Sequence, residues 1–396
     1  MHVIFNLEAP DIRKLMQEIG ADKYGIEIML PKAVSRLIKF GGLSNIAANI
    51  LKQEMLSFGA DVAIARGALT GTVKKTDGLI MGNLFQYRRL IEKLKFQPFG
   101  LSGFSRDLEK IINNYQKEKL ILSLGKSRFN LKLRTLIMGI VNLTRDSFSS
   151  DGLLGLAPER IARIVEEKVK SGADIIDLGA ESSRPGAMPI QAKEELRRIL
   201  PVLKIIAKRI KVPISVDTSK VEVAKAALDN GASLINDISG LKNKKMAKLI
   251  SRHKASVVIM HKKGIPQNMQ KNPAYKSLIS EIIQYLENSV GIALDAGIKK
   301  EKIIIDPGIG FGKTLEHNLK ILARLSEFKS LGLPLLVGVS RKSFIGKLTD
   351  TPPQERMHGS VAASVLAVLK GAEIVRVHDI KETKEALRVI DAIIKR

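Results

Sequence analysis

The 396-residue sequence contains no cysteine and no tryptophan. Without thiols there is no disulfide, no thiolate nucleophile and no Cys-ligated zinc or iron–sulfur cluster, which accords with a reducing compartment. Aromatic residues make up 4%, too few to build stacking platforms for single-stranded nucleic acid. No apolar run approaches the ~18 residues of a membrane span. The first residues carry Glu8 and Asp11 where a secretory leader needs a basic start and an apolar stretch. A soluble, cytoplasmic protein with neither membrane nor nucleic acid as partner is therefore expected.

Positive charge is abundant: the formal net charge is +25, which raises the question of a polyanion ligand. The excess is evenly spread, with 20 Lys/Arg against 12 Asp/Glu in residues 1–130 and 45 against 28 in the remainder. No basic tail or arm stands out. A generally basic surface explains this, and a small anionic substrate would explain any local cluster.

From residue 135 onward one pattern recurs: a short apolar, β-branched run ends in polar residues and glycine, and a helical stretch follows. The runs are TLIMGIVN (135–142), DIIDLGAE (174–181), PISVDTS (213–219) and SLINDIS (233–239). SVVIMHKKG (256–264), KIIIDPGIGF (302–311), PLLVGVSRK (334–342) and EIVRVHD (373–379) complete the set. Near-continuous apolar strands alternating with amphipathic helices mean a parallel sheet covered by helices. Eight such units match an α/β fold of the (β/α)8 TIM-barrel type, with a doubly wound open sheet as the alternative. The polar residues gather at the C-terminal strand ends, where barrel active sites are built.

Residues 1–125 break the repeat and read as a smaller accessory α/β domain preceding the barrel of 126–396. Within it, 43–60 reads as a helix capped by Ser44, 61–66 and 77–82 as strands, and 83–96 and 105–118 as helices. The stretch 117–134 is the expected junction, with a β-hairpin closing the barrel floor. No catalytic cluster is visible in this domain, so an accessory role is expected.

Two nucleotide motifs can be set aside. GIGFGKT (308–314) ends like a Walker A loop, but Pro307 stands where its first glycine belongs; Lys313 likewise breaks GxGxxG. The strand ends offer something else. Asp217, Asn236 and Asp306 close the third, fourth and sixth runs, and a lone carboxylate or amide in an apolar strand is expensive to bury unless paired. Each singly could be a satisfied rim residue; three aimed at one end suit the N–H edge of a flat heterocycle. A basic cluster, Ser340-Arg341-Lys342 and Arg376-Val377-His378, follows the seventh and eighth runs, the habitual phosphate site of barrels. Alternation puts Arg376 and His378 on one face. The loops after the first and second runs, 143–152 and 181–187, read as polar lids, and Asn142 could supply one oxygen to Mg²⁺.

In order, IMGIVNLTRDSFSSDG, DIIDLGAESSRPGA, ISVDTSKVEVAKAALDNGASLINDISG, VIMHKKGIPQNMQ, IIIDPGIGFGKTLEHN, LLVGVSRKSFIG and IVRVHD cover residues 135–379. The set resembles the dihydropteroate synthases of the folate pathway. That resemblance implies condensation of 6-hydroxymethyl-7,8-dihydropterin diphosphate with p-aminobenzoate. It implies that Asp217, Asn236 and Asp306 hold the pterin, with Met260 and Phe311 packed near it and Lys342 bonding it. Arg376 and His378 would hold the diphosphate, Asn142 would ligate Mg²⁺, and Ser183, Arg184 and Pro185 would help form the p-aminobenzoate pocket, which sulfonamides should also enter. A homodimer is expected. Three departures stand out: Arg145 replaces a usual proline, an extra serine (Ser149 or Ser150) precedes Asp151, and Ser183 replaces a commoner threonine. None removes a donor or a charge. The rivals are a pterin-dependent methyltransferase of the same barrel family, which has no diphosphate to bind, and a non-catalytic polyanion-binding barrel. Diphosphate release with p-aminobenzoate separates all three.

Overall fold

The computed structural model describes residues 1–4, 7–117, 119–144, 152–182, 186–264 and 269–394. They form two compact units, Met1–Asn113 and Asn114–Arg396.

The first unit is built on a three-stranded antiparallel sheet. Its strands are β1 (Ser35–Ser44), β2 (Asp61–Ile64) and β3 (Lys75–Asn83), in the order β1-β3-β2. The helix Asn45–Ser57 is capped as its sequence predicts, the Ser44 hydroxyl accepting from the Ala47 N–H. The helix Leu84–Leu94 starts with a reciprocal capping box between Asn83 and Gln86. Apolar faces of these helices, including Leu51, Met55, Tyr87, Leu90 and Leu94, close a core over Val62 and Ile80. Strand β1 and the helices Ala9–Glu18 and Lys23–Ala33 are additions to the sequence reading. Gly41 and Gly42 hide β1, because the register shifts between Phe40 and Leu43 and the alternation breaks there.

The second unit opens with a hairpin, β4 (Ile121–Leu124) and β5 (Ser127–Asn130), paired antiparallel. Eight parallel strands follow: β6 (Leu136–Asn142), β7 (Ile175–Gly179), β8 (Ile214–Asp217) and β9 (Leu234–Asp237), then β10 (Ser256–Met260), β11 (Ile303–Asp306), β12 (Leu336–Val337) and β13 (Ile374–Val377). They are hydrogen-bonded in the order β11-β10-β9-β8-β7-β6-β13-β12, and a parallel bridge between Ile305 and Leu335 closes the ring. This is the expected TIM barrel. Each observed strand lies within its apolar run and is shorter, and in every run but the first, whose Asn142 stays in the ladder, the polar tail leaves it to form the rim.

The strands alternate in side-chain direction. One set, including Ile176, Leu178, Val216, Ile235, Val257 and Val375, packs under the helices. The other set, including Leu136, Met138, Ile175, Leu234, Ile304 and Ile374, fills the barrel with Leu120, Leu122, Leu124 and Leu131 of the hairpin segment. The hairpin does plug the floor, and the Ser256 hydroxyl donates to the Ser123 carbonyl at 2.6 Å. The boundary expected at 125/126 falls inside this hairpin. The units divide earlier, at 113/114, because the leucines of β4 lie in the barrel core.

Candidate active site

Above the apolar floor the inward positions turn polar. Asp177 of β7, Ser215 of β8, Asn236 of β9 and Asp306 of β11 are all buried, and Asp217, Arg376, His378 and Asn142 follow toward the rim. A pocket opens over them at the C-terminal strand ends, lined by Asn142, Glu181, Asp217, Phe311, Ser340, Lys342, Arg376 and His378. Strands β6, β8 and β13 and the loops after β7, β11 and β12 deliver these groups from widely spaced stretches of sequence.

At the centre lies the Arg376 guanidinium. Its Nε donates to Asp177 Oδ2 at 2.6 Å and its Nη2 to Asp217 Oδ2 at 3.1 Å. Burial disfavours this charge, yet the Asp177 and Asp217 carboxylates outweigh burial and hold the pKa above the usual arginine value. Burial pushes the Asp217 carboxyl up to about 7; Arg376 opposes that shift and Asp177 adds to it. Asn236 Nδ2 donates to the same Asp177 oxygen at 3.2 Å. Asp306 is 6% exposed, accepts from the Gly308 N–H at 2.7 Å and is also shifted upward by burial, with Lys342 as the main opposing charge.

The rim supplies cations. Lys342 Nζ donates to the Ile309 carbonyl and lies 4.9 Å from the centre of the Phe311 ring. Burial lowers its pKa to about 8. Ser340 Oγ lies 2.9 Å from His378 Nδ1 and accepts from the His378 backbone N–H at 3.2 Å. Arg341, between Ser340 and Lys342, has φ +56° and turns its guanidinium to Asp379 instead. The left-handed backbone at Arg341 leaves Ser340 and Lys342, and not Arg341, among the pocket's lining residues.

Six of the residues expected at the site, Asn142, Asp217, Phe311, Lys342, Arg376 and His378, therefore line one pocket. Asn236, Met260 and Asp306 do not line it: they are 4%, 3% and 6% exposed, buried at the C-terminal ends of β9, β10 and β11. Ser183, Arg184 and Pro185 lie outside the described residues, as do Arg145, Ser149, Ser150 and Asp151.

Three features escaped the sequence reading. Asp177, inside the run DIIDLGAE, is the hub to which Arg376 and Asn236 bind; the signal was a second carboxylate at the same inward parity as the strand end. Glu181 and the buried Glu195 both receive Lys220 Nζ, the latter at 2.6 Å. Lys313, noticed only as part of a failed nucleotide motif, is 2% exposed; its Nζ lies 2.9 Å from His261 Nδ1 and donates to the Phe311 carbonyl at 3.1 Å.

Residues 138–378 match the family of pterin binding enzymes. The dihydropteroate synthase of Escherichia coli K12 is 46% identical over 256 residues, covering 65% of this chain and 90% of its own length. A "probable bifunctional folylpolyglutamate synthase/dihydropteroate synthase" of Halobacterium salinarum is 37% identical over 385 residues, 96% of this chain and 46% of its own. That match reaches across both units. Among solved structures, a Yersinia pestis dihydropteroate synthase with a sulfonamide drug complex is 42% identical with a TM-score of 0.67, covering 69% of this chain and 99% of its own. A Thermus thermophilus dihydropteroate synthase in complex with 4-aminobenzoate is 44% identical with a TM-score of 0.61 over the same shares.

Proposed function

The chain belongs to the dihydropteroate synthases, pterin-binding transferases of folate biosynthesis, and on that premise we propose roles for the pocket's own residues. The reaction joins 6-hydroxymethyl-7,8-dihydropterin diphosphate to p-aminobenzoate, giving 7,8-dihydropteroate and diphosphate. The observation that carries the assignment of roles is the meeting, in one pocket, of the half-buried Asp217 carboxylate with a rim of Ser340, Lys342, Arg376 and His378. Asp217, Asn236 and Asp306 hold the pterin edge, Met260 and Phe311 pack against its ring, and Lys342 bonds it. Arg376 and His378 receive the diphosphate. Arg376 as preorganised charge and His378 as a hydrogen-bonding partner stabilise the anion that develops as the CH₂–O bond breaks and its electron pair leaves on diphosphate. The pterin shares the positive charge left on CH₂, near the Asp217 and Asp306 carboxylates. The p-aminobenzoate amine then forms the C–N bond and releases a proton, so no protein nucleophile is required. Ser183, Arg184 and Pro185 are assigned to the p-aminobenzoate side.

Among the described residues no group of three or more His, Asp or Glu side chains is placed to cage a metal ion. Mg²⁺ keeps much of its shell in water and substrate phosphates, so the single neutral oxygen of Asn142, in the pocket with Arg376 and His378, fits an ion held mainly by the diphosphate. Bound there, Mg²⁺ would offset negative charge on the leaving group. The methyltransferase rival is disfavoured because it leaves this cationic rim without a ligand. Exposed Leu366, Leu369, Val389 and Ile393, on the neighbouring helices Met357–Leu369 and Ile380–Ile394, support the expected homodimer, which light scattering would detect as twice 43.5 kDa. The cysteine-free sequence and the folate chemistry support a cytoplasmic enzyme.

The deciding assay mixes purified chain, dihydropterin diphosphate, p-aminobenzoate and Mg²⁺. Diphosphate release that requires the amine is expected, with sulfonamides competing against p-aminobenzoate. Release no faster than background sinks the assignment.

A further inference from the structure

The Asp177 carboxylate has no part in the reaction as written above, yet it is fully buried at the middle of the site. Its Oδ2 takes two donors, Arg376 Nε at 2.6 Å and Asn236 Nδ2 at 3.2 Å. They arrive from β13 and β9, each two strands away from β7 in the barrel order. Its other oxygen, Oδ1, is buried without a hydrogen-bond partner among the described residues, as is Oγ of Ser215, the register partner of Asp177 in β8. Keeping an unmet carboxylate oxygen away from water is expensive. A residue held here for packing alone would be apolar, as Ile175 is two positions earlier on the same face of the strand.

We propose that Asp177 is a positioning residue that holds the pterin-binding floor and the diphosphate-binding guanidinium in register with each other. The inference rests on the reading of the pocket given above and adds a residue to it. An asparagine amide can present either its oxygen or its nitrogen to a ligand. By taking Nδ2 of Asn236, Asp177 leaves the amide oxygen to accept from the heterocycle. The same carboxylate takes Nε of Arg376 while Asp217 takes Nη2, so one edge of the guanidinium is fixed and Nη1 is left to an anion. Because one oxygen serves both partners, a shift of Arg376 is felt at Asn236. The pterin and its diphosphate are parts of one substrate, and their holders need that common reference.

Asp177→Asn in the full chain keeps the volume and one acceptor but removes the charge and offers a donor where both partners also donate. The expected result is a rise of tenfold or more in KM for dihydropterin diphosphate with KM for p-aminobenzoate within threefold. Affinities for 6-hydroxymethylpterin and for inorganic diphosphate, measured separately by calorimetry, should both weaken. Asp177→Asn combined with Asn236→Ala should lose less pterin affinity than the product of the two single losses. An equal rise in both KM values, an unchanged KM for the pterin substrate, weakening of one ligand alone, or independent effects in the double variant overturns the role of Asp177. Each of these leaves the reaction assignment standing, because that assignment depends on diphosphate release by the wild-type chain. Should Asp177→Asn fail to fold, Asp177→Ser is read by the same measurements.

Discussion

Asp306 already accepts the Gly308 N–H, so its carboxylate has capacity for one ligand edge rather than for a diffuse hydration shell. Truncation to alanine should remove a charged acceptor from a dry site, weakening a pterin that lacks its diphosphate by about 2–4 kcal/mol. Unchanged affinity in calorimetry would take Asp306 out of the site. Lys313 makes a different case. Burial brings its pKa down to about 7, and burial also lowers the neighbouring His261 to about 2, so the pair favours an uncharged amine beside a neutral imidazole. A lysine with a depressed folded pKa contributes stability that is full above its unfolded value of 10.5 and is lost as pH falls through about 7. The wild-type chain should therefore gain stability between pH 7 and 10 relative to Lys313→Met, at up to ~1.4 kcal/mol per pH unit. Urea unfolding of both chains at pH 7, 8 and 9 tests this; parallel curves would contradict it. At this scale the legible residues were those at or next to the end of a strand. Asp217 and Asp306 are the last residues of β8 and β11 and Asn236 is next to last in β9, whereas Asp177 and Lys313 sit where sequence shows a polar residue but not its burial or its partner.

Among the elements, the loop after β11 brings Ile309, Gly310 and Phe311 to the pocket, and two backbone approaches shape it. Gly308 has φ +69°, and a Cβ there would collide with the His261 carbonyl oxygen; at Gly312, φ +66°, it would collide with that of Lys263. The glycines that resembled a nucleotide loop thus serve to lay the loop against the segment after β10, and they bring Phe311 and Lys313 into place. Gly308→Ala should cost more than about 2 kcal/mol, combining left-handed backbone strain with overpacking. It should also weaken pterin binding, because the displaced amide is the one that Asp306 accepts. A Gly308→Ala chain with wild-type urea midpoint and pterin affinity would show that the loop can back away. Periodicity made the eight barrel strands and their helices readable, since each strand is a continuous apolar run between glycine-closed helices. It failed at β1, where the Gly41-Gly42 bulge interrupts alternation; Arg341, grouped with the rim because it follows the seventh run, is turned away by its left-handed backbone to Asp379.

On the scale of the whole molecule, every group assigned to chemistry lies in the unit Asn114–Arg396, and the unit Met1–Asn113 has a core of its own around Leu51, Val62, Ile80 and Tyr87. Both observations support an accessory role for the first unit, and they fix where a shortened chain should begin. A start near Ser127, as the sequence boundary suggests, would delete β4 and with it Leu120, Leu122 and Leu124, which are buried against Leu136, Ile304 and Ile374 in the barrel interior. Losing even one such leucine side chain typically costs 2–5 kcal/mol, and losing three would open the floor to water directly beneath the polar layer of Asp177 and Asn236. A chain starting at Asn114 retains that plug, together with the bonds from Asn114 Nδ2 to the Ser330 carbonyl at 2.9 Å and from Lys117 Nζ to the Gly332 carbonyl at 2.8 Å. The chain from Asn114 should therefore fold and keep diphosphate release within about tenfold, ~1.4 kcal/mol of transition-state stabilisation, whereas the chain from Ser127 should melt far lower or fail to fold. Circular dichroism melting and the diphosphate assay on the two truncations decide the matter. A folded Asn114 chain that binds pterin normally yet turns over a hundredfold more slowly would mean that the first unit contributes to catalysis.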